Sequence, residues 1–298
     1  MGELPSDIVK SGARVIPFPG LPGLERARGV ARIGFVRRGP VTTIEDLYQS
    51  GCAKVCLPRR EPDRLREAVL VNTAGGLTDG DRLRNSVNWH RDASAVVTSQ
   101  AAERIYRSRR APAYIETELT VGLDATALWL PQETILFDGG NLSRRTEVDL
   151  DPSARLIACE SLILGRTAMG ETVRTGAVVE AWRIRVEKEL VFADTFRLDG
   201  DIAKALDRPA VGGGARAFAT VIYAGPEAAD RMVALRAVAL EQQSARVAAS
   251  CLGPVAITRI MAETGHAARH ALSAVLAALL QSMAGDVEST RLPRIWSC

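Results

Sequence analysis

The stretch YIETELTV, residues 114–121, sets Ile115, Thr117, Leu119 and Val121 on one side against Glu116, Glu118 and Thr120 on the other. A period of two is that of a β-strand with one buried face and one wet face. The same alternation recurs where Trp182, Ile184 and Val186 are set against Arg183, Arg185 and Glu187. Outward from these two segments, strands are expected at residues 31–37, 68–72, 83–89, 95–99, 127–130, 146–150, 156–164, 190–197 and 217–223, with turn residues between them. No long amphipathic helix separates these strands, as a parallel α/β sheet would require, so a doubly wound fold is disfavoured. The chain reads as mainly β, with its helices late. Pro226 and Glu227 start a helix over residues 226–243, with Met232, Leu235 and Ala239 on one face. A second, over residues 262–284, carries Leu272, Leu276, Leu279 and Met283 at the spacing of a buried stripe. Gly212, Gly213 and Gly214 break the chain before the last strand, and no internal repeat is visible.

The 298 residues can bury a substantial core, and 47% apolar with 24% charged residues is an ordinary globular balance. A net charge of +3 is too small to argue for nucleic acid, and 5% aromatic residues imply little surface for stacking bases or sugars. Five cysteines, at 52, 56, 159, 251 and 298, do not form the framework of a secreted disulfide domain, so a reducing cytoplasm is expected. Residues 1–25 carry Pro5, Pro17, Pro19 and Pro22 among glycines and read as a loose arm without a signal peptide. The longest apolar stretch, residues 271–284, is shorter than a membrane span requires.

Candidate chemistry begins with NTAGGLTDGD, residues 72–81. Three glycines suggest a phosphate loop, but no lysine accompanies them, and Asp79 and Asp81 would repel an anion. Two readings stay open: a tight turn between strands, or carboxylates that touch a hard cation. Glu160 lies in the apolar run 156–164, and alternation groups it with Ala158, Leu162 and Leu164. A carboxylate buried there needs a cation or several donors, either backbone amides or an arginine such as Arg166. Glu133 and Asp138, five apart around Ile135, Leu136 and Phe137, would point to opposite faces of a strand and make no acid/base pair. His266 and His270, four apart on the second helix, have metal-ligand spacing but lie off its leucine stripe, on a solvated face. Cys52 and Cys56 are too far apart in an extended segment for a disulfide, and nothing marks His90 as the base of a nucleophile. Neither a serine-hydrolase elbow, a zinc-protease helix, a Walker loop nor a paired CxxC is present.

Taken together, the segments NTAGGLTDGD (72–81), TSQAAERIYRS (98–108), LPQETILFDG (130–139), LILGRTAMGE (162–171) and FADTFRLDGD (192–201) resemble, in order and spacing, the urease accessory protein UreD family, called UreH in some organisms. The likeness runs from about residue 28 to 223, and the closing LPRIW (292–296) resembles the family's usual tail. Asp79 stands where the family more often has glycine. The resemblance implies one domain over residues 26–298, built of stacked sheets resembling a β-helix with a helical pair. It also implies a cytoplasmic, non-enzymatic maturation factor that joins UreF and the GTPase UreG on the urease apoprotein and promotes nickel insertion. UreE would take part only indirectly. No tightly bound cofactor is expected; nickel would be transient cargo, conducted through an internal channel or weakly bound.

Such a passage needs scattered, exchangeable oxygen ligands, because a tight cage of histidine and cysteine would retain the ion. The acidic residues inside the matching segments are Asp79, Asp81, Glu103, Glu133, Asp138, Glu160 and Glu171, and several are expected to line one connected polar cavity. The 262–284 helix and the C-terminal region are candidates for the UreF-binding surface, since Ala267, Ala271, Ala274 and Ala278 would permit close packing. The rival class is a β-helical carbohydrate hydrolase or lyase, which would show two carboxylates facing one open groove. A nickel-storage protein would show histidine-rich tracts, and this chain has three histidines.

Overall fold

The computed structural model of the chain describes residues 26–59, 61, 64–166, 170–284 and 289–297. The expected arm, residues 1–25, lies outside the described residues, as do residues 167–169 within LILGRTAMGE. In chain order the strands are β1 (Arg28–Arg38), β2 (Val41–Gly51), β3 (Ala53–Cys56), β4 (Arg66–Asn72), β5 (Arg82–Trp89), β6 (Ser94–Ser99), β7 (Glu103–Ile105), β8 (Ala113–Val121) and β9 (Thr126–Leu130). They continue as β10 (Thr134–Leu136), β11 (Asn141–Leu150), β12 (Arg155–Leu164), β13 (Thr175–Val186), β14 (Glu189–Asp201), β15 (Ala217–Ala224), β16 (Arg246–Leu252) and β17 (Val255–Ala262). Among the described residues three α-helices join them: α1 (Ile202–Asp207), α2 (Ala228–Glu241) and α3 (Gly265–Ser282). Among the described residues no helix is long and apolar enough to cross a membrane.

The strands form two large sheets. One runs β14-β13-β11-β8-β5-β1-β2 and the other β16-β17-β15-β12-β9-β6-β4-β3. At their centres the strands pair in parallel, β1-β5-β8-β11-β13 in the first sheet and β4-β6-β9-β12 in the second. Parallel pairing normally demands a helical crossover. Here the crossover is the other sheet: β5 leads to β6, β8 to β9 and β11 to β12, so each strand's return path is itself a strand. Short β7 and β10 continue the coils after β6 and β9, and β10 pairs in parallel with both β7 and β12. The result is a mainly β architecture of stacked coils like a β-solenoid, as expected.

The stacked coils reveal a repeat that was not legible in the sequence. Ala93, Ala125 and Ala154, 32 and 29 residues apart, occupy equivalent corners, each fully buried. The amide of Thr126 donates to Ala93 O and that of Arg155 to Ala125 O, both at 2.9 Å, so successive corners are hydrogen-bonded to one another. A period near thirty is what a solenoid requires, but its signature here is little more than one small residue per coil.

All nine further candidate strands fall inside observed ones. β2, β3, β7, β10, β16 and β17 are additional; most of β2 is polar or exposed and carries no clean alternation, and β7 and β10 are three residues each. The second helix begins later than residue 262, because Ala262 closes β17 and Thr264 caps α3 by accepting from the amide of Ala267. α2 lies within the expected 226–243. α3 buries Leu272, Val275, Leu276, Leu279 and Leu280 against the outer face of the second sheet, where Leu128, Ile157, Val221 and Tyr223 await them. Between the sheets lie two further apolar clusters, one around Phe35, Trp89, Leu119 and Leu150, the other around Leu77, Ile105, Leu136 and Leu142.

Candidate functional site

Polar residues separate those two inner clusters. On the inward face of the first sheet, Asn85, Thr117, Thr146 and Trp182 stand side by side in register on β5, β8, β11 and β13. One step further along the strands, Arg144 pairs in register with Glu180. The second sheet answers with Glu160 on β12. Its Oε1 accepts from Thr146 Oγ1 at 2.6 Å, its Oε2 from Trp182 Nε1 at 2.9 Å, and Arg144 Nε lies 3.4 Å from Oε2. Arg144 also pairs through Nη2 with Glu180 and donates through Nη1 to Thr134 Oγ1 at 2.9 Å. Alternation thus placed Glu160 correctly in the buried set, but its cation is Arg144 and not Arg166. Arg166 sits with Glu171 at 2.9 Å and lies over the Phe137 ring.

Beside these side chains a cavity of about 190 Å³ opens between the sheets, large enough for several waters. Its floor includes Trp129, Arg144 and Glu160, and exposed Lys54, Gly75, Gln100 and Arg104 form its rim. Glu103 lines it too, part-buried, accepting from Asn72 Nδ2 at 3.0 and 3.2 Å. Burial pushes the Glu103 carboxyl up to about 7, against the pull of Asn72, the Arg104 amide and the positive charge of Arg144. Burial likewise pushes the Glu160 carboxyl above the ordinary carboxylate range; Arg144, Thr146 and Trp182 oppose that rise, and Glu180 adds to it.

Two of the seven candidate acids, Glu103 and Glu160, therefore share the cavity. The others are placed elsewhere. Asp79 accepts from the amides of Arg110 at 2.9 Å and Ala111 at 2.5 Å; burial works against its charge, but these amides outweigh it and hold the carboxyl below its usual range. Asp81, buried, accepts from the amides of Ala27 and Thr78, both at 2.8 Å. The 72–81 loop is thus a backbone clamp that walls one side of the cavity. Gly76, at φ +150°, lets it press against β7: a Cβ there would fall 2.4 Å from the Tyr106 ring and 2.9 Å from Arg104 O.

Glu133 pairs with Arg269 of α3 at 3.4 Å. Asp138 accepts from the amides of Arg174 and Thr175 and pairs with Arg107 at 2.8 Å; those two amides and Arg107 hold its carboxyl low against some burial. Burial would raise the Glu171 carboxyl, but the Arg166 side chain and amide and the Asp138 amide bring it below its usual range. Asp138 and Glu171 share a separate, shallow outer depression with Tyr106 and Arg174. Glu133 and Asp138 are not paired with one another. His266 and His270 are exposed on α3, and Cys52, Cys56, Cys159 and Cys251 are free thiols. Among the described residues no three His, Cys, Asp or Glu side chains gather into a metal-holding group.

The sequence reading missed Arg144 and Gln132. Arg144 belongs to the inward set Leu142, Arg144, Thr146, Val148 and Leu150, but the expected strand began at residue 146 and cut it off. Gln132, buried on the cavity wall, leaves its Nε2 without a hydrogen-bond partner among the described residues.

Comparison with known proteins finds similarity along nearly the whole chain. Residues 27–297 match the family described as UreD urease accessory protein. A protein of Chelativorans sp. (strain BNC1), named urease accessory protein UreD, is 42% identical over 280 residues, 92% of this chain and 95% of its own. Its namesake from Methylobacterium sp. (strain 4-46) is 39% identical over 285 residues, 94% of this chain and 98% of its own. The one from Brucella suis is 38% identical over 274 residues. With so complete a match, the chain belongs to the UreD urease accessory protein family.

Proposed function

We propose that this protein is a urease maturation factor that acts in the cytoplasm as a non-catalytic scaffold. In this reading it joins UreF and the GTPase UreG on the urease apoprotein and lets nickel pass, as transient cargo, towards the urease active site. UreE would supply the metal upstream without touching this chain. The observation that carries the reading is the inter-sheet cavity with Glu103 towards its rim and Glu160 on its floor, in a chain of this family. Two separated carboxylates with buried amide and hydroxyl neighbours offer exchangeable oxygen ligands to a divalent cation, and no third carboxylate, histidine or thiolate closes a cage around it. An acid/base hydrolase is poorly served by the same pair, because both oxygens of Glu160 are engaged by Thr146, Trp182 and Arg144.

The test is reconstitution. The full chain should co-purify with UreF and UreG, and omitting it should abolish nickel-dependent activation of the urease apoprotein. Activation that proceeds equally well without the chain would refute the proposal.

A further inference from the structure

The turns that carry the chain from the second sheet back to the first stack in one row, at residues 72–81, 106–112, 137–140 and 165–174. They are hydrogen-bonded to one another: Asp79 takes the amides of Arg110 and Ala111, the Ser108 amide donates to Gly139 O at 2.9 Å, and the Gly139 amide to Thr175 O at 2.8 Å. Along this row the two signs of charge are sorted. The carboxylates turn inward to hold the backbone, and the side chains of Asp79, Asp138 and Glu171 are only 13%, 26% and 19% exposed. The arginines turn outward. Arg107 and Arg166 are 66% and 50% exposed although paired with Asp138 and Glu171. Arg104, Arg109, Arg110 and Arg174 are exposed too, with no hydrogen bond or ion pair to their guanidinium groups among the described residues. Aromatic rings stand among them: Arg166 lies over the Phe137 ring at 4.5 Å, and exposed Tyr106 meets Phe137 edge-on at 5.0 Å. Arginine and tyrosine are residues that protein interfaces favour.

We propose that this row of turns is a docking surface for an acidic face of a partner protein. The inference rests on the scaffold reading above and adds to it the surface used and the chemistry of what it meets. A guanidinium pairs with a carboxylate through two parallel hydrogen bonds, so unpaired arginines on a pinned backbone select for acidic side chains. Arg104 also rims the cavity, and Tyr106 Oη donates to Gly75 O on the same rim at 3.4 Å. A partner seated on the arginines therefore covers the mouth of the proposed passage. Nucleic acid is disfavoured, because carboxylates alternate with the arginines along the row and the chain's net charge is only +3.

The experiment is biolayer interferometry of the purified full chain against the purified urease apoprotein and, in a separate arm, purified UreF, with thermal melting to establish that each variant is folded. Arg109→Glu/Arg174→Glu reverses two charges on different coils and is expected to weaken binding of one of these partners on the order of tenfold or more. Wild-type affinity for that partner should fall as salt rises, and the variant's should fall less steeply. Arg38→Glu/Arg91→Glu makes the same change in net charge at exposed positions by the far ends of β1 and β5, and should bind as the wild type. If the reversal does not fold, Arg109→Ala/Arg174→Ala should show a smaller loss in the same direction. Affinities equal to the wild type for both partners would overturn the inference, as would a loss shared equally by the control or equal affinity for a duplex DNA. Dimers of the wild-type chain in sedimentation that the reversed variant lacks would overturn it too, by assigning the surface to a second copy. If neither partner binds even the wild type, the scaffold reading fails and the inference with it, an outcome distinct from unchanged binding by the variant.

Discussion

Trp182 Nε1 donates a 2.9 Å hydrogen bond to Glu160 Oε2 across the gap between the two sheets, tying β13 of one to β12 of the other. A carboxylate buried in a β-solenoid is tolerated because each oxygen has a donor, and those donors come from the facing sheet. Replacing one member should therefore be felt according to what it leaves unpaired. Glu160→Leu strands the Thr146 hydroxyl and the Trp182 indole and leaves Arg144 with Glu180 and the Thr134 hydroxyl; its expected cost is about 3–5 kcal/mol. Glu160→Gln keeps an acceptor in place and should cost clearly less. Urea denaturation of the two variants measures the difference, and equal losses would contradict the assigned hydrogen bonds. A drop in urease activation with the leucine variant reports on passage only if the glutamine variant shares it.

Glu103 makes stability depend on pH in a definite direction. Its folded carboxyl is raised to about 7 from an unfolded value of 4.5, so the folded state binds the proton more tightly. Its contribution is fully present below about pH 4.5 and is lost as the pH rises through about 7. Glu160 is shifted in the same sense, so Glu103→Gln should flatten the fall in melting temperature between pH 4.5 and 7 without abolishing it. A pH profile identical to that of the wild type would show that Glu103 is not buried as described.

The aspartates of the 72–81 loop are clamps in this structure. Asp81→Ala frees the amides of Ala27 and Thr78, and the expected loss is about 1–3 kcal/mol by chemical denaturation. Nickel retention by the isolated chain should not change. A variant of undiminished stability that holds nickel more weakly would return Asp81 to the list of ligands.

The closing LPRIW segment is fastened to the outside of the second sheet. Trp296 Nε1 donates to Leu130 O at 3.1 Å and lies near Thr98 Oγ1 at 3.2 Å, while Arg269 stacks on its ring 3.9 Å from the centroid. Trp296→Ala should cost about 3–5 kcal/mol, in the range of large-to-small core substitutions. Limited proteolysis should then cleave residues 289–297 at protease concentrations that leave the wild type intact; equal resistance would show that the latch is not needed.

Much of this was legible in the residues. Period-two alternation located the long strands other than β2 and grouped Glu160 with Ala158 and Leu162, because a strand buried on one face writes its burial into its own sequence. What a strand faces is not written there. Arg144 comes from β11 of the opposite sheet, and a nearby arginine such as Arg166 was the natural but incorrect candidate for its partner. The coil repeat stayed hidden because only backbone hydrogen bonds and a small corner residue need to recur. The β16–β17 hairpin was missed because β16 is largely exposed, and Gly253 and Pro254 break the pattern between the two strands. The scattering of Asp79, Asp81, Glu133, Asp138 and Glu171 away from the cavity could not be read either, since each serves a local amide or arginine that lies distant in sequence or on another coil.

The most direct test of the central claim is nickel-dependent activation of the urease apoprotein with UreF, UreG and either the wild-type chain or its Glu103→Gln/Glu160→Gln variant, compared at equal recovery of the UreF complex. The variant should assemble normally and activate several-fold less urease; activation equal to the wild type would contradict a passage through this cavity.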